Sequence, residues 1–260
     1  MTALGLIVLG AIAVGTLMFV LWLMHFPIRN AAIVDAGWAG GLALLAILYA
    51  QYGDGDFFRS WIMAAMVSFW GFRLAGYLLL TRVVGHPEEG RYVELRRKWK
   101  THIGLRFLIF FELQALLCVL LSVPFLLAAT NPAPGIGGLE RSAMLLFVLA
   151  VLGESLADAQ LNAFKRNLAN KGKTCRAGLW KYSRHPNYFF EWLIWMAFAL
   201  FGLSAPLGWL GFLSPALILL FLFRVTGIPA TEAQALRSRG DEYREYQRTT
   251  SAFVPWFPKS

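Results

Sequence analysis

Long apolar runs recur along this chain and are separated by short polar segments. Residues 4–24, LGLIVLGAIAVGTLMFVLWLM, carry no charge over about the 20 residues needed to cross a bilayer. This run lacks the basic leading segment and the small-residue cleavage site of a signal peptide. With six further runs, the pattern predicts an all-α polytopic membrane protein with seven transmembrane helices. The predicted spans are about 4–24, 32–52, 58–80, 106–129, 142–164, 187–203 and 207–227.

The composition supports this prediction. Of the 260 residues, 58% are hydrophobic, and the mean hydropathy is +0.56. A soluble domain of this size cannot bury so large a share of apolar side chains, because its surface-to-volume ratio limits its core. No internal repeat, low-complexity tract or large polar domain interrupts the pattern, so we predict a single membrane domain over 1–260. Residues 230–250 predict a polar, interrupted helix on the membrane surface.

Basic residues are distributed unevenly between the predicted sides of the membrane. Of the 24 lysines and arginines, segments 81–106 and 165–186 hold seven each, and the C-terminal tail holds five. If the chain crosses the membrane seven times, these three segments and Arg29 lie on one side of the membrane, whereas Arg59 and Arg141 lie on the other side. The positive-inside rule then places the N-terminus outside and the C-terminus in the cytoplasm. Because this bias and attraction to membrane lipids explain the net charge of +9, we expect no nucleic-acid partner.

The cysteines and the short motifs exclude several kinds of site. Cys118 lies in a predicted span and Cys175 in a cytoplasmic loop, a pattern that supports neither a disulfide framework nor a metal site. No Walker loop, zinc-ligand spacing or nucleophile-plus-base arrangement occurs, and the glycine-rich pieces do not follow a strand. We therefore predict no metal, and we expect any nucleotide to bind between helices.

Ionisable side chains occur within the predicted spans, where they are costly and usually face a cavity or a partner. In the fifth span, Glu154, Asp158 and Asn162 recur every four residues, and Arg166 continues the series. At 3.6 residues per turn they form one stripe, which we expect to line the bundle interior. The alternative is that such groups only hold helices together. The other ionisable residues in the spans are Asp35, Arg73, Glu112, Glu191 and Arg224.

The segment KYSRHPNYFFEW, 181–192, joins a polar turn to the start of the sixth predicted span. His185 precedes Pro186, and proline is favoured at the first position of a helix, so unpaired amides face the basic loop there. Such a helix start predicts an anion site. Asn187 and Glu191 share a face and offer a donor and an acceptor, as a carboxamide or a ribose requires. The alternative is a collar of snorkelling side chains at a helix entry.

The segment AGLWKYSRHPNYFFEW resembles the C-terminal signature of the steroid 5α-reductase family, in which a Gly-Leu-aromatic turn precedes an Asn and, four residues later, a Glu. The resemblance is firmest over 154–260 and weaker over 29–106, where IVDAGW, FWGFRLAGYLLLTR and EEGRY are similar to bacterial members. It implies an enzyme of the bacterial inner membrane whose cofactor site faces the cytoplasm. The implied reaction is NADPH-dependent reduction of the C4–C5 double bond of 3-oxo-Δ4 steroids, or of a similar lipid enone, with no obligate protein partner.

The resemblance also implies where NADPH binds. Asn187 and Glu191 would hold its nicotinamide end, and Asp158, Asn162 and Arg166 would contact the adenosine half and its phosphates. The basic residues of the two cytoplasmic loops suit the extra 2′-phosphate that distinguishes NADPH from NADH. The remaining predicted cofactor residues are Arg73, Tyr77, Arg82, Lys173, Tyr182, His185, Arg224, Glu232 and Tyr243.

For the substrate, the resemblance implies a group that polarises the ketone. The glutamate and tyrosine that bind the ketone in animal members fall near Asp35 and Trp70 in this chain. A carboxyl group among apolar helices has its neutral form favoured by desolvation, so we expect Asp35 to donate to the ketone oxygen and to be the catalytic residue. Trp38 and Trp70 complete the predicted substrate site.

A similar RHPNY motif occurs in isoprenylcysteine carboxyl methyltransferases, which bind S-adenosylmethionine in a similar place. Their tail usually carries paired glutamates soon after an arginine, whereas GIPATEAQ here contains only Glu232. This chain also has Asp35 and Arg73, features those smaller enzymes lack. We therefore expect the reductase, with the methyltransferase as the alternative and a non-enzymatic lipid-binding protein as a third interpretation.

Overall fold

The computed structural model describes residues 1–88, 90–225 and 227–259. Helices make up 78% of the structure, and the described residues contain no strand, only an isolated bridge between Ser183 and Ser251. The predicted all-α fold is confirmed. The helices are α1 Ala3–Ile28, α2 Ile33–Tyr52, α3 Phe57–Leu78, α4 Gly90–Trp99, α5 Ile103–Leu121, α6 Val123–Ala129, α7 Gly138–Arg166, α8 Pro186–Gly202, α9 Leu213–Leu220, α10 Ile228–Arg239 and α11 Asp241–Thr249.

Six helical segments among the described residues are long and apolar enough to cross a membrane. Lipid favours such segments because a helix satisfies its own backbone hydrogen bonds. The predicted span 187–203 corresponds to α8, which has only 17 residues and is shorter than the six. These six candidate membrane-spanning helices agree with the predicted class, whereas seven spans and their orientation stay predictions. The six segments are Ala3–Ile28, Ile33–Tyr52, Phe57–Val83, Ile103–Leu121, Gly138–Arg166 and Gly208–Arg239.

Two compact units divide the chain. The first comprises Met1–Glu140 and Phe201–Gly211, and the second comprises Arg141–Leu200 and Phe212–Ser260. Each unit has buried side chains of its own, and each contains some of the predicted site residues. The prediction of one domain over 1–260 stays a prediction.

Small residues let α2 and α3 pack closely within the first unit. Ala36, Ala39 and Ala75 are buried together, and a Cβ atom at Gly71 would lie 2.7 Å from the carbonyl oxygen of Ala39. Small side chains at a helix interface allow backbones to approach where lipid provides no hydrophobic driving force. This contact holds the start of α2, with Asp35, beside the end of α3.

A buried ion pair closes one end of the first unit. Arg59 Nε donates to Glu140 Oε1 at 2.9 Å, and the two side chains are 3% and 2% exposed. Ser204 Oγ and the backbone N–H of Gly137 also donate to Glu140, at 2.7 and 2.8 Å. The guanidinium donates to three carbonyl oxygens of the loop 131–135. Because every polar atom of the pair has a partner, the loop is fixed to the start of α3.

We expect Arg59→Met to destabilise the protein by about 3–5 kcal/mol, because Glu140 would be left as a buried charge without its counter-ion. Adding Glu140→Gln should restore part of that loss. The measurement is thermal unfolding of the purified protein in detergent. Arg141→Met, which removes the same charge from an exposed neighbouring position, is the control and should change little. Equal destabilisation by the two arginine substitutions would contradict a role for the buried pair.

Candidate functional site

A basic cavity of about 510 Å³ lies within the second unit. Its volume is in the range of about 300–1,000 Å³ that is usual for small-molecule sites. The end of α7, the loop 170–175, the turn before α8, and helices α10 and α11 form its walls. No carboxylate is among the described residues that border it. The cations that border it are Lys165, Lys171, Lys173, Arg184 and Arg239.

The end of α7 and the following loop are shaped by asparagine and glycine. Asn167 follows the last residue of α7, and its side chain accepts from the backbone N–H of Ala169 at 3.0 Å. Asn170 Nδ2 donates to the carbonyl oxygen of Phe164 at 3.0 Å, which ties the loop back to the helix. Gly172 has a φ of +80°, a left-handed conformation that favours glycine. These local bonds turn the chain so that the lysines of the loop border the cavity.

Three lysines and one hydroxyl group on this wall are available to a ligand. Lys165, Lys171 and Lys173 form no ion pair within the described part of the chain. Thr174 is 7% exposed, and its Oγ1 has no hydrogen-bond partner among the described residues. Its backbone N–H donates to Glu242 Oε1 at 2.9 Å, which fixes its position. Because a buried hydroxyl without a partner is unfavourable, Thr174 marks a place for a ligand or water.

Arg184 connects the turn before α8 to α10 and α11. Its Nε donates to Glu232 Oε1 at 2.7 Å, and its Nη1 donates to the carbonyl oxygens of Gln247 and Thr250 at 2.9 and 2.5 Å. Gln247 Nε2 donates to the second Glu232 oxygen at 2.7 Å. His185 Nε2 lies 3.3 Å from Glu232 Oε1. Glu232, predicted to contact the cofactor, therefore neutralises this turn and does not border the cavity.

Four of the predicted cofactor residues border the cavity together: Lys173, His185, Asn187 and Tyr243. Asn187 Nδ2 donates to Asp158 Oδ1 at 3.1 Å, so Asp158 orients the amide from α7. Burial, followed by the charge of Glu232, raises the pKa of Tyr243 to about 12. Its phenol therefore stays protonated near neutral pH and is able to donate a hydrogen bond.

Besides Asp158 and Glu232, five predicted cofactor residues of the second unit do not border the cavity. Asn162 and Arg166 are exposed on α7 and do not border the cavity. Glu191 Oε1 accepts a hydrogen bond from the indole Nε1 of Trp195, one turn further along α8, at 3.1 Å. Tyr182 is half-buried, and Arg224 is exposed in a π-helical turn. Asp158 belongs to the predicted stripe on α7 and does not border the cavity itself. It is connected to the cavity through its hydrogen bond with Asn187, which does.

Asp35 lies at the start of α2 and accepts hydrogen bonds from α4. Arg91 Nη2 donates to its Oδ1 at 2.6 Å, and the Tyr92 hydroxyl donates to the same oxygen at 2.9 Å. Arg82 Nη1 lies 3.8 Å from its other oxygen. Tyr92 is fully buried, and this burial raises its pKa above the usual value, so the hydroxyl keeps its proton. In this arrangement Asp35 is an acceptor, and the donors are its neighbours.

Arg91 and Tyr92 are not among the site residues predicted from the sequence, although both belong to the EEGRY segment. The available signal was the similarity of that segment to bacterial members of the reductase family. The other predicted residues of the first unit lie on α2 and α3: the rings of Trp38 and Trp70 meet edge-to-face at 5.9 Å, Arg73 is half-buried, and Tyr77 is 55% exposed.

We expect Arg184→Lys to loosen the turn before α8, because an ammonium group cannot reach Glu232 and two carbonyl oxygens in one plane. The loss of a charged hydrogen bond of this kind is about 1.5–3 kcal/mol. It should appear as a lower unfolding temperature and as faster cleavage of the C-terminal segment by a nonspecific protease. Arg237→Lys, at an exposed position of α10, is the matched control. Unchanged protease resistance in Arg184→Lys would show that the ion pair does not hold these elements.

Comparisons with known proteins place the chain in a family. A family profile described as "Protein of unknown function (DUF1295)" matches residues 21–250. The chain is 28% identical over 266 aligned positions to the uncharacterized protein C594.04c of Schizosaccharomyces pombe, with 91% of this chain and 76% of that protein covered. No solved structure matches significantly. Because the profile matches most of its length, the chain belongs to the DUF1295 family.

Proposed function

We propose that this protein is an NADPH-dependent reductase of a lipid enone, such as the C4–C5 double bond of a 3-oxo-Δ4 steroid. The observation that carries the proposal is the basic cavity of the second unit. No carboxylate borders it within the described chain, and Asn187, whose amide is held by Asp158, is one of its bordering residues. The similarity of the turn before α8 to the steroid 5α-reductase signature supports the same reaction. The DUF1295 family includes proteins of that kind.

The residues of the cavity fit the polar groups of NADPH. Lys165, Lys171 and Lys173 have no counter-ion in the described chain and suit phosphate oxygens through charge-assisted hydrogen bonds. The unpartnered hydroxyl of Thr174 offers one further donor. When bound, NADPH supplies a hydride. S-adenosylmethionine carries a positive sulfonium and no phosphate, so the charge of this cavity favours the reductase over the methyltransferase.

In the first unit, the cluster around Asp35 supplies the groups that we assign to the substrate ketone. Reduction of an enone places negative charge on its oxygen, and donors positioned beforehand stabilise that charge. The donor is the Arg91 guanidinium, one of whose N–H groups bonds to Asp35. In the proposal Asp35 holds Arg91 in position, rather than donating itself. The buried Tyr92 hydroxyl gives its one proton to Asp35 and so fixes that carboxylate.

The proposal includes seven spans, with α8 as the sixth, an outside N-terminus and a cytoplasmic C-terminus. The apolar sequence of α8 after Glu191 and the distribution of lysine and arginine support this orientation. In this topology the basic cavity opens to the cytoplasm, where NADPH is available. The proposed location of the protein is the bacterial inner membrane.

We expect NADPH to copurify with the protein and to be identified by mass spectrometry. The double substitution Lys171→Ala and Lys173→Ala should weaken NADPH binding by about 100-fold or more, because each of the two charged hydrogen bonds to phosphate is worth about 1.5–3 kcal/mol. Binding is measured by titration of NADPH fluorescence. Arg248→Ala, which removes an exposed cation that pairs with Glu245, is the control.

The same titration distinguishes the competing interpretations. Comparable weakening by Arg166→Ala would move the phosphate contact to the exposed end of α7, as the sequence analysis expected. Copurified S-adenosylmethionine would overturn the reductase proposal in favour of the methyltransferase. Absence of any nucleotide, together with no NADPH binding, would favour a lipid-binding protein.

We expect Tyr92→Phe and Asp35→Asn to lower kcat with progesterone while leaving the dissociation constant of NADPH unchanged. Tyr92→Phe removes only one hydroxyl and keeps the ring, which packs edge-to-face against Phe110. Each substitution removes or weakens a charged hydrogen bond that positions Arg91, and losing the roughly 1.5–3 kcal/mol of such a bond should lower kcat about tenfold or more. The assay follows NADPH oxidation. Normal kcat in both variants would show that this cluster has no part in polarising the ketone.

A further inference from the structure

A second, smaller cavity of about 160 Å³ lies in the first unit at the end of α1. The described residues that border it are His25, Phe26, Arg29 and Arg96. It is below the size range of sites that enclose a whole small molecule, about 300–1,000 Å³, and is therefore suited to one polar group of a larger ligand. None of these residues has a role in the proposed reaction.

The position of this cavity relative to the membrane follows from the length of α1. The helix has 26 residues, which at about 1.5 Å per residue exceeds the roughly 30 Å hydrocarbon core of a bilayer. Arg29 directly follows the helix, so we expect it at the level of the lipid headgroups if α1 spans the bilayer as its sequence predicts. Phe26 borders the cavity and is 49% exposed, as are the apolar side chains of Leu23 and Met24 at 48% and 43%. The cavity therefore adjoins a surface suited to acyl chains.

The cavity carries one positive charge without a counter-ion. Arg96 Nε and Nη2 donate to the two oxygens of Glu88, at 2.7 and 3.0 Å, so these two charges compensate each other. Arg29 forms no ion pair with a described residue. Its planar guanidinium matches the geometry of phosphate oxygens. The charge balance thus suits a ligand with a single negative charge, such as a phosphodiester.

His25 adds a hydrogen-bond acceptor to this site. The residue is 1% exposed, and its Nδ1 donates to the carbonyl oxygen of Trp22, which can only accept. In the neutral imidazole the other nitrogen, Nε2, is then an acceptor. It is buried and has no hydrogen-bond partner in the described chain. The complementary ligand therefore carries a hydroxyl donor close to its negative charge.

We propose that this cavity binds the headgroup of an anionic glycerophospholipid, with Arg29 on the phosphate and His25 accepting from a headgroup hydroxyl, as phosphatidylglycerol provides. The acyl chains then lie along the exposed apolar side chains at the end of α1. Inorganic phosphate shares the charge and the hydroxyl but lacks the chains, so the test separates the two sources.

The experiment uses the full-length protein in detergent and native mass spectrometry with lipids of identical acyl chains. Phosphatidylglycerol and phosphatidylmethanol carry the same charge, but only the first has headgroup hydroxyls. We expect phosphatidylglycerol to bind about three- to tenfold more tightly, the effect of one hydrogen bond, and phosphatidylcholine to bind weakly. This comparison tests His25 in the unmodified protein, without a buried substitution that could unfold it.

A pair of variants tests the charge. Arg29→Gln should lower phosphatidylglycerol binding about tenfold, whereas Arg97→Gln, an equal loss of charge at an exposed position of α4, should leave it unchanged. An equal loss of phosphatidylglycerol binding in both variants would show that only diffuse surface charge attracts the lipid, and this result would overturn the proposed site. Equal binding of phosphatidylglycerol and phosphatidylmethanol would overturn the acceptor role of His25, and displacement of the lipid by an equal concentration of inorganic phosphate would overturn the lipid assignment.

Discussion

The cavity of the second unit depends on the ion pair between Arg184 and Glu232. A guanidinium has five donors in a fixed plane, and here they serve one carboxylate and the carbonyl oxygens of Gln247 and Thr250. This one side chain satisfies acceptors from α10 and from the end of α11, and the Tyr246 hydroxyl, which donates to the carbonyl oxygens of Trp180 and Ser183, adds a second connection between the turn and α11. Arg184 also compensates the negative charge of Glu232, so the wall of the cavity keeps a positive potential.

In both units the ion pairs with buried or half-buried carboxylates are formed by arginine. Arginines engage the buried or half-buried carboxylates: Arg59 bonds to Glu140, Arg96 to Glu88 and Arg91 to Asp35. The planar guanidinium is weakly hydrated and able to bond to a carboxylate at two points, so it suits buried pairs. Lysine is strongly hydrated and stays where water or a ligand reaches it. Among the described residues, the cations that face the basic cavity without a counter-ion are the three lysines Lys165, Lys171 and Lys173, together with Arg239, whose guanidinium lies over the Tyr243 ring.

The candidate site could be predicted from the sequence in part. The turn before α8 carried a recognisable motif, and Lys173, His185, Asn187 and Tyr243 border one cavity. The four-residue spacing on α7 also placed Asp158 on the side that reaches α8. The same spacing does not say where a stripe leaves the protein interior, because that depends on the loops that cover it.

The sequence by itself determined the helical class and the membrane segments, because a long apolar run has only one backbone conformation that satisfies its hydrogen bonds in lipid. Only the tertiary structure decided which polar groups meet. Tyr92 bonds to Asp35 across 57 positions, and Arg184 bonds to Glu232 across 48. Contacts of that separation leave no periodic signal, since they arise from helix packing and loop closure and not from local backbone geometry.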